Sequence, residues 1–591
     1  MKAVTNRLLA PVCALTLPIC ALVIWPVVEL GVNDEFSYAK SAQVLAQTGH
    51  IVYNGWGAPI LGWMLYLGAG FVKLFGFSFT VVRLSILLIA MATVALMHRV
   101  LVRCGINEWN ATLGTLMLAL SPLFLPLSFN FMTDVPALFV IILCLYACLR
   151  ALQARTENAA LAWVAFAAVS NAIGGTVRQT AWLGVLVMVP STLWLLRRRR
   201  RVLIAGTILF LVSVVFIYST MHWFHRQPYS LAEDVVAATS ANHFHAIYVL
   251  ILGSLELALL MLPLLLFFIP AVPLRNRRAI VYMAAGILLW VAFGFRQAYQ
   301  HETWMAPFFE NYITSYGILG WIKPSHGDPP VVLPIGAQFV MTAVLALATI
   351  SFVTVLLVRT RKSPVPVDSR REISEISWSS LGVLLLPVVL AYFSLLIYRE
   401  TSMLIFDRYL LPLFPLVLIP LLRYYQDQIQ PRLPAAALVP IGLYAAFAVA
   451  GTHDCFAKYR AGYAAIQELR AAGIPPSQID GGTEYNGWNQ IELASFIHEV
   501  KVPLTETAYG GPLWRAAKKS YGSCRPVWLD RFTAISPRYG LGAHATDCLG
   551  AVAGFAPVQW RAWLPPTHFQ AVYIVKVGHP DQTNGQIASG Q

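Results

Sequence analysis

Gly31-Val32-Asn33-Asp34-Glu35-Phe36-Ser37-Tyr38 is the stretch on which the reading of this chain turns. It follows directly on a first long apolar segment and opens a helical pattern. An ionisable residue at a membrane boundary is a functional candidate by default, and here two acids stand side by side. The plainer reading is a helix start. Asn33 or Asp34 would accept backbone N–H bonds, and Glu35 would favour the positive helix end. The chemical reading makes Asp34 a general base that takes a proton from an acceptor hydroxyl. One residue can serve both roles.

Outward from this stretch the chain is a membrane protein. Of 591 residues, 58% are hydrophobic and 12% charged. Several apolar runs exceed the roughly 18 residues needed to cross a hydrocarbon core. The expected fold class is mainly α, with about 13 transmembrane helices over residues 8–30, 79–97, 110–127, 136–153, 160–175, 180–196, 202–220, 246–271, 279–295, 333–358, 379–397, 404–422 and 434–450. Residues 1–451 form the transmembrane domain. Its first outer loop, 31–78, carries two surface-lying helices: residues 34–47, closed by Gly49, and residues 59–75. Residues 452–591 have the composition of a soluble α/β domain, with a helix near 457–472 and strands within 480–488, 526–532 and 571–577.

Charge sets the orientation. The net charge is +14, and the basic residues gather in short loops at Arg99 and Arg103, Arg150 and Arg155, Arg197 to Arg201, Arg275 to Arg278, Arg359 to Lys362, and Arg423. With Lys2 and Arg7 inside and an uncleaved first span, all of these fall on the cytoplasmic side. The C-terminal domain is then extracytoplasmic. The expected location is the cell (inner) membrane. The basic bias is topological and does not point to nucleic acid. Residues 359–378 read as a linker between two membrane halves.

The uncommon polar residues collect on the outer side. Thr133-Asp134-Val135-Pro136 begins a span, with Asp134 placed either as a cap or as a second carboxylate that orients an acceptor or holds a divalent cation. Arg178, in Gly174-Gly175-Thr176-Val177-Arg178-Gln179-Thr180, and Arg408, after Asp407, both break the positive-inside pattern. A guanidinium there either snorkels to the interface or contacts a lipid-linked phosphate. Trp56, Trp63, Trp304, Trp321 and the loop tyrosines form an aromatic belt or stack on a sugar ring. His243 and His245, His301-Glu302 and His453-Asp454 lack metal-site spacing. Cys524 and Cys548 are the cysteines best placed to pair if the tail lies outside. No phosphate-binding glycine loop or nucleophile elbow is present, which argues against an ATP-driven pump.

Four stretches resemble the membrane glycosyltransferases of the GT-C superfamily, in the branch of the lipid A aminoarabinose transferase and the protein O-mannosyltransferases. They are Asp34-Glu35-Phe36-Ser37-Tyr38, Thr133-Asp134-Val135-Pro136, Val177-Arg178-Gln179-Thr180 and Arg408-Tyr409-Leu410-Leu411-Pro412. The span count and the outward tail match as well. The resemblance implies transfer of a sugar from a polyprenyl-phosphate donor to a hydroxyl of an envelope glycan, lipid or protein, with inversion. Asp34 would be the base and Glu35 its reserve. Asp134 would position the acceptor or a cation, Arg178 and Arg408 would hold the donor phosphate, and Tyr38 and Trp56 would touch sugar or acceptor. The aminoarabinose branch carries Lys-Pro-Pro in the first outer loop. Here Trp56-Gly57-Ala58-Pro59 keeps one proline and no lysine, which shifts weight onto the two arginines. The rival readings are a lipid or lipid-linked sugar transporter, which needs polar residues at mid-membrane, often in paired repeats, and a non-enzymatic envelope scaffold.

Overall fold

Apolar runs in this chain become helices because hydrocarbon offers no partner to an unpaired backbone group. The structure, a computed structural model, describes residues 2–57, 59–231, 240–299, 305–320, 326–327, 329–359, 376–397, 405–497, 532–566 and 568–577. Its main helices are α1 (Lys2–Ile24), α2 (Glu35–Thr48), α3 (Gly62–Phe75), α4 (Phe79–Arg103), α5 (Glu108–Ala119), α6 (Asp134–Leu152), α7 (Glu157–Gly174), α8 (Val189–Leu195), α9 (Arg200–His225), α10 (Ser240–Leu260), α11 (Arg277–Tyr299), α12 (Ile335–Arg359), α13 (Trp378–Ile397), α14 (Leu413–Gln428), α15 (Leu438–Ala471) and α16 (Thr483–Ala494).

Among the described residues eight helices are long and apolar enough to span a membrane. A ninth span results if Ile247–Leu260 and Leu262–Phe268, bent by 71°, are one. Among the described residues this count does not confirm the expected thirteen, and several expected spans are broken. α5 stops at Ala119 ahead of Ser121-Pro122. Residues 179–188 wind in 3₁₀ and π turns before α8. Residues 407–410 make a 3₁₀ turn before α14.

α2 and α3 have 14 residues each. At about 1.5 Å per residue neither can cross the hydrocarbon core. α2 ends where expected, with Gly49 at φ 76°, a left-handed cap that costs glycine little.

The helix ends sort by charge. At one end Arg103 donates to Gln153 (2.8 Å), and Arg199 donates to the carbonyl of Ala154 (3.0 Å). There the basic loops meet. At the other end lie the Asp34 turn, the start of α6, the Arg178 turn, the 407–410 turn and the loop 305–320.

The tail begins without a break. α15 runs 34 residues from the membrane part into the tail, so the expected boundary at 451/452 falls inside a helix. Ahead of it in the chain, β1 (Ile313–Thr314) and β2 (Gly317–Ile318) pair as a short hairpin; beyond it β3 (Ile479–Asp480), β4 (Tyr539–Gly542), β5 (Val558–Arg561) and β6 (Phe569–Lys576) form a sheet in the order β3-β4-β6-β5. β3 and β4 are parallel, and the other pairs are antiparallel. The expected strand at 571–577 is β6. The segment 480–488 is instead mostly α16, launched from Gly482 at φ 87°. Cys548 is disulfide-bonded. Cys524, most of 526–532, His301, Glu302, Trp304, Trp321 and most of the 359–378 linker lie outside the described residues.

Candidate active site

Asn33 starts the site from the backbone. It takes φ 61°, a left-handed turn that asparagine tolerates better than most residues. Asp34 follows at the N-cap position of α2, yet its side chain makes no cap bond. The carboxylate points elsewhere. Its Oδ1 accepts from the indole N–H of Trp56 (2.8 Å), and its Oδ2 accepts from Arg408 Nη2 (2.9 Å). Trp56 is itself held between Phe36 and Phe532, with ring centroids 5.3 and 6.0 Å away.

Glu35, one residue on, has a different fate. It is fully buried and its carboxylate is filled. Arg83 donates from Nε (2.9 Å) and Nη2 (2.6 Å), and the backbone N–H groups of Val32 (2.9 Å) and Phe131 (2.8 Å) donate as well. Arg83 spends its other N–H groups on the carbonyls of Val28 and Leu30. Against the expectation of a reserve base, Glu35 has no free lone pair directed at a substrate. It ties the Asp34 turn to the turn ahead of α6.

That second turn carries Asp134. Asp134 is the first residue of α6 rather than its cap, and Thr133 at the cap position makes no side-chain cap bond. Asp134 Oδ1 accepts from Arg178 Nη1 at 2.6 Å, while Oδ2 is buried without a partner. Arg178 and Arg408 both lean on the ring of Tyr409, at 5.0 and 5.6 Å. Two guanidiniums are thus gathered on one face, each against one aspartate. Arg408 keeps Nε and Nη1 buried and unpaired. Such a fork matches a phosphate.

Tyr38 lies inside the same cluster. Its phenol is pushed well above the usual range by burial and then by Asp34, with Arg408 and Arg178 opposing. A Cβ on Gly57 would come within 2.7 Å of its ring, so the glycine allows the loop to close over it. The structure therefore brings together Asp34, Asp134, Arg178, Arg408, Tyr38 and Trp56, and sets Glu35 apart.

Sequence reasoning missed four contributors. Arg83, near the start of α4, was not singled out. Tyr312 is buried beside the cluster, and its backbone N–H donates to Asp407 Oδ2 (2.9 Å), as does that of Ile313 (2.6 Å). Burial pushes the Asp407 carboxyl up to about 7. Asn130 donates to the Tyr312 hydroxyl (3.2 Å). Glu484, from α16 in the tail, accepts from the backbone N–H of Asn33 (3.1 Å) and from the Tyr459 hydroxyl (2.7 Å). Burial raises the Glu484 carboxyl to about 7.

A divalent cation does not fit this donor set. Each aspartate already faces a guanidinium, which repels a second positive charge. Among the described residues no three His, Cys, Asp or Glu groups cluster as metal ligands. His453 bonds Asp454 (2.9 Å), and Asp454 takes the N–H groups of Trp563 and Leu564, a structural arrangement.

Residues 57–225 match the family model of dolichyl-phosphate-mannose-protein mannosyltransferases. That stretch includes Asp134 and Arg178. No curated protein matches the chain. Among solved structures, ArnT from Cupriavidus metallidurans in the apo state is 14% identical, with a TM-score of 0.37 over 95% of this chain and 97% of that one. The S. cerevisiae protein O-mannosyltransferase Pmt1–Pmt2 complex bound to the sugar donor is 18% identical, with a TM-score of 0.32 over 39% of this chain and 36% of that one. The chain thus spans little more than a third of the yeast protein it matches. The Archaeoglobus fulgidus oligosaccharyltransferase in the apo form is 14% identical, with a TM-score of 0.36 over 79% and 58%. Over residues 57–225, then, this membrane protein is similar to the dolichyl-phosphate-mannose-protein mannosyltransferase family.

Proposed function

We propose that the chain transfers a sugar from a polyprenyl-phosphate donor to an acceptor hydroxyl at the Asp34 end of the helices. One observation carries this reading: Asp34 stands where a cap belongs but turns its carboxylate to an arginine whose Nε and Nη1 are buried and unpaired. The basic loops at the opposite helix ends support an extracytoplasmic position for this site.

In this reading the donor phosphate pairs with the open fork of Arg408, and Arg178 adds a second positive charge. The acceptor hydroxyl reaches Asp34, whose side chain is about a fifth exposed. The acceptor oxygen bonds to the anomeric carbon while the bond from that carbon to the phosphate oxygen breaks. The electron pair leaves on polyprenyl phosphate, where the guanidiniums stabilise it. The hydroxyl proton passes to Asp34 as the oxygen becomes acidic. A single displacement inverts the anomeric centre. Asp134 keeps Arg178 in place and offers its free oxygen to the substrate. The acceptor is a hydroxyl of an envelope glycan, lipid or protein.

A transporter reading has no comparable support, since the charged groups with unfilled bonding positions lie at a helix end. The test is a transfer assay on purified protein with a panel of polyprenyl-phosphate sugars and envelope extract, followed by release of free polyprenyl phosphate. Release by the native chain and not by Asp34→Asn supports the proposal. Equal release by both removes Asp34 from the mechanism.

A further inference from the structure

Besides the Glu484 bond, the tail is bolted to the membrane part at the tip of its β5–β6 hairpin. Asp454 of α15 accepts from the backbone N–H groups of Trp563 (2.8 Å) and Leu564 (2.9 Å), one on each carboxylate oxygen. The Trp563 ring lies flat on His453, with centroids 3.7 Å apart and planes within 6°. The N–H of Ala562 donates to the carbonyl of His568 (2.8 Å) and closes the tip. Arg561 stands opposite Phe569 there, while the far end of β6, Lys576, pairs with Tyr539 of β4.

Two helices set the depth of this tip. α15 rises about 24 Å between Leu438 and Asp454 at about 1.5 Å per residue. The 3₁₀ turn at 435–437 adds about 6 Å. Together these match the roughly 30 Å hydrocarbon core. On α1, Trp25 follows the last helical residue, is 57% exposed, and gives its carbonyl to Arg460 Nη1. Both helices therefore put the edge of the hydrocarbon near residues 454–460, level with the hairpin tip.

The side of α15 is set as well. With 3.6 residues per turn, Val439, Leu443, His453 and Asp454 fall within about 100° of arc. Val439 and Leu443 are 64% and 67% exposed and apolar, so this stripe faces lipid. The tip is fastened to the upper end of that stripe. At this depth it exposes Trp563 by 40% and Phe569 by 72%. Register puts Phe569 on the same face as Arg561, which is exposed too. Aromatic rings beside a cation suit the headgroup level of a bilayer. A soluble partner would reach them only by displacing lipid.

We infer that the tip of the β5–β6 hairpin is a lipid anchor, with Trp563 and Phe569 seated among the headgroups and first acyl carbons of the leaflet on the Asp34 side. The inference is independent of the sugar-transfer reading, since it holds whatever the chain transfers.

The test uses the full-length protein in nanodiscs of phosphatidylethanolamine and phosphatidylglycerol. Phe569→Cys and His568→Cys place a thiol at the tip. Gln467→Cys places one on an exposed part of α15 about 20 Å beyond Asp454. The free cysteines among the described residues are buried, so an NBD maleimide reports the new thiol, with the unsubstituted chain as background. Native elution on size exclusion shows that each labelled variant is folded, and His568→Cys carries the test if Phe569→Cys is not. The quenchers are lipid with a nitroxide near the top of the acyl chain, and iodide in the water. The nitroxide lipid is expected to quench the tip label at least threefold more than the Gln467 label, with iodide in the reverse order. Equal quenching of tip and Gln467 labels by the nitroxide lipid overturns the anchor. So does a tip label open to iodide until envelope extract is added, which would assign the tip to a soluble partner instead.

Discussion

Two carboxylate–guanidinium pairs stand one residue apart on α2, and they are built to opposite ends. Around Glu35 and Arg83 both carboxylate oxygens and all three guanidinium nitrogens have protein partners. Around Asp34 and Arg408 the carboxylate is about a fifth exposed and two guanidinium nitrogens are unpaired. The first pair is closed and holds turns together. The second is open, with bonding positions that the protein leaves unfilled. Residue type and position in the fold are nearly the same, so the difference lies in how many bonds the surroundings complete.

Breaking the open pair should break turnover. Asp34→Asn is expected to lower the transfer rate per folded molecule by about 10³-fold or more, combining loss of a general base with a loosened Arg408. Initial rates normalised to the monodisperse fraction check this. Breaking the closed pair should break the fold first. Arg83→Leu strands a buried carboxylate, which typically costs about 3–5 kcal/mol, and is expected to cut the yield of monodisperse protein on size exclusion. Normal yield and thermal midpoint for that variant would erase the contrast.

Arg408→Lys sharpens the comparison. It keeps the charge and loses the planar fork, so we expect roughly a 10²-fold fall in transfer with little change in thermal midpoint. A smaller effect follows from Glu484. Its carboxyl is held at about 7 in the folded protein, above its ordinary 4.5, chiefly by burial. The folded state therefore binds a proton that the unfolded state releases between those values. Stability contributed by this group grows as pH falls from 7 toward 4.5 and is lost as pH rises through 7. The detergent thermal midpoint should be higher at pH 6 than at pH 8, and Glu484→Gln should flatten that slope. Asp407, raised to about 7 by the same cause, adds a share with the same sign. Least of all, Lys40→Ala should change stability by under about 1 kcal/mol, since its ion pair with Glu492 is partly exposed.

The open pair was legible in the sequence because its members break membrane rules. Asp34 is an acid at a span edge, and Arg178 and Arg408 are arginines on the side where few belong. The closed pair was not legible. Nothing local separates Glu35 from Asp34, and the residue that decides between them, Arg83, lies 48 positions away. Asn130 and Tyr312 are neutral and leave no charge signature. The helix breaks near 119, 179–188 and 407–410 defeated the span count because 3₁₀ and π turns keep the apolar composition of a span while interrupting its geometry. In the tail, residues 480–488 read as strand-bearing, but most of them form α16, with Gly482 at its N-cap.

The bond from Asn33 to Glu484 joins residues 451 positions apart. Chains grow from the N-terminus at a few residues per second, and contacts this remote form late. The turn that presents Asp34 emerges early in synthesis, but the group that fastens it from α16 does not exist until most of the polypeptide has been made. A nascent chain interrupted anywhere before residue 484 carries the acid without its fastening. Fastening of the Asp34 turn therefore waits until α16 has been translated.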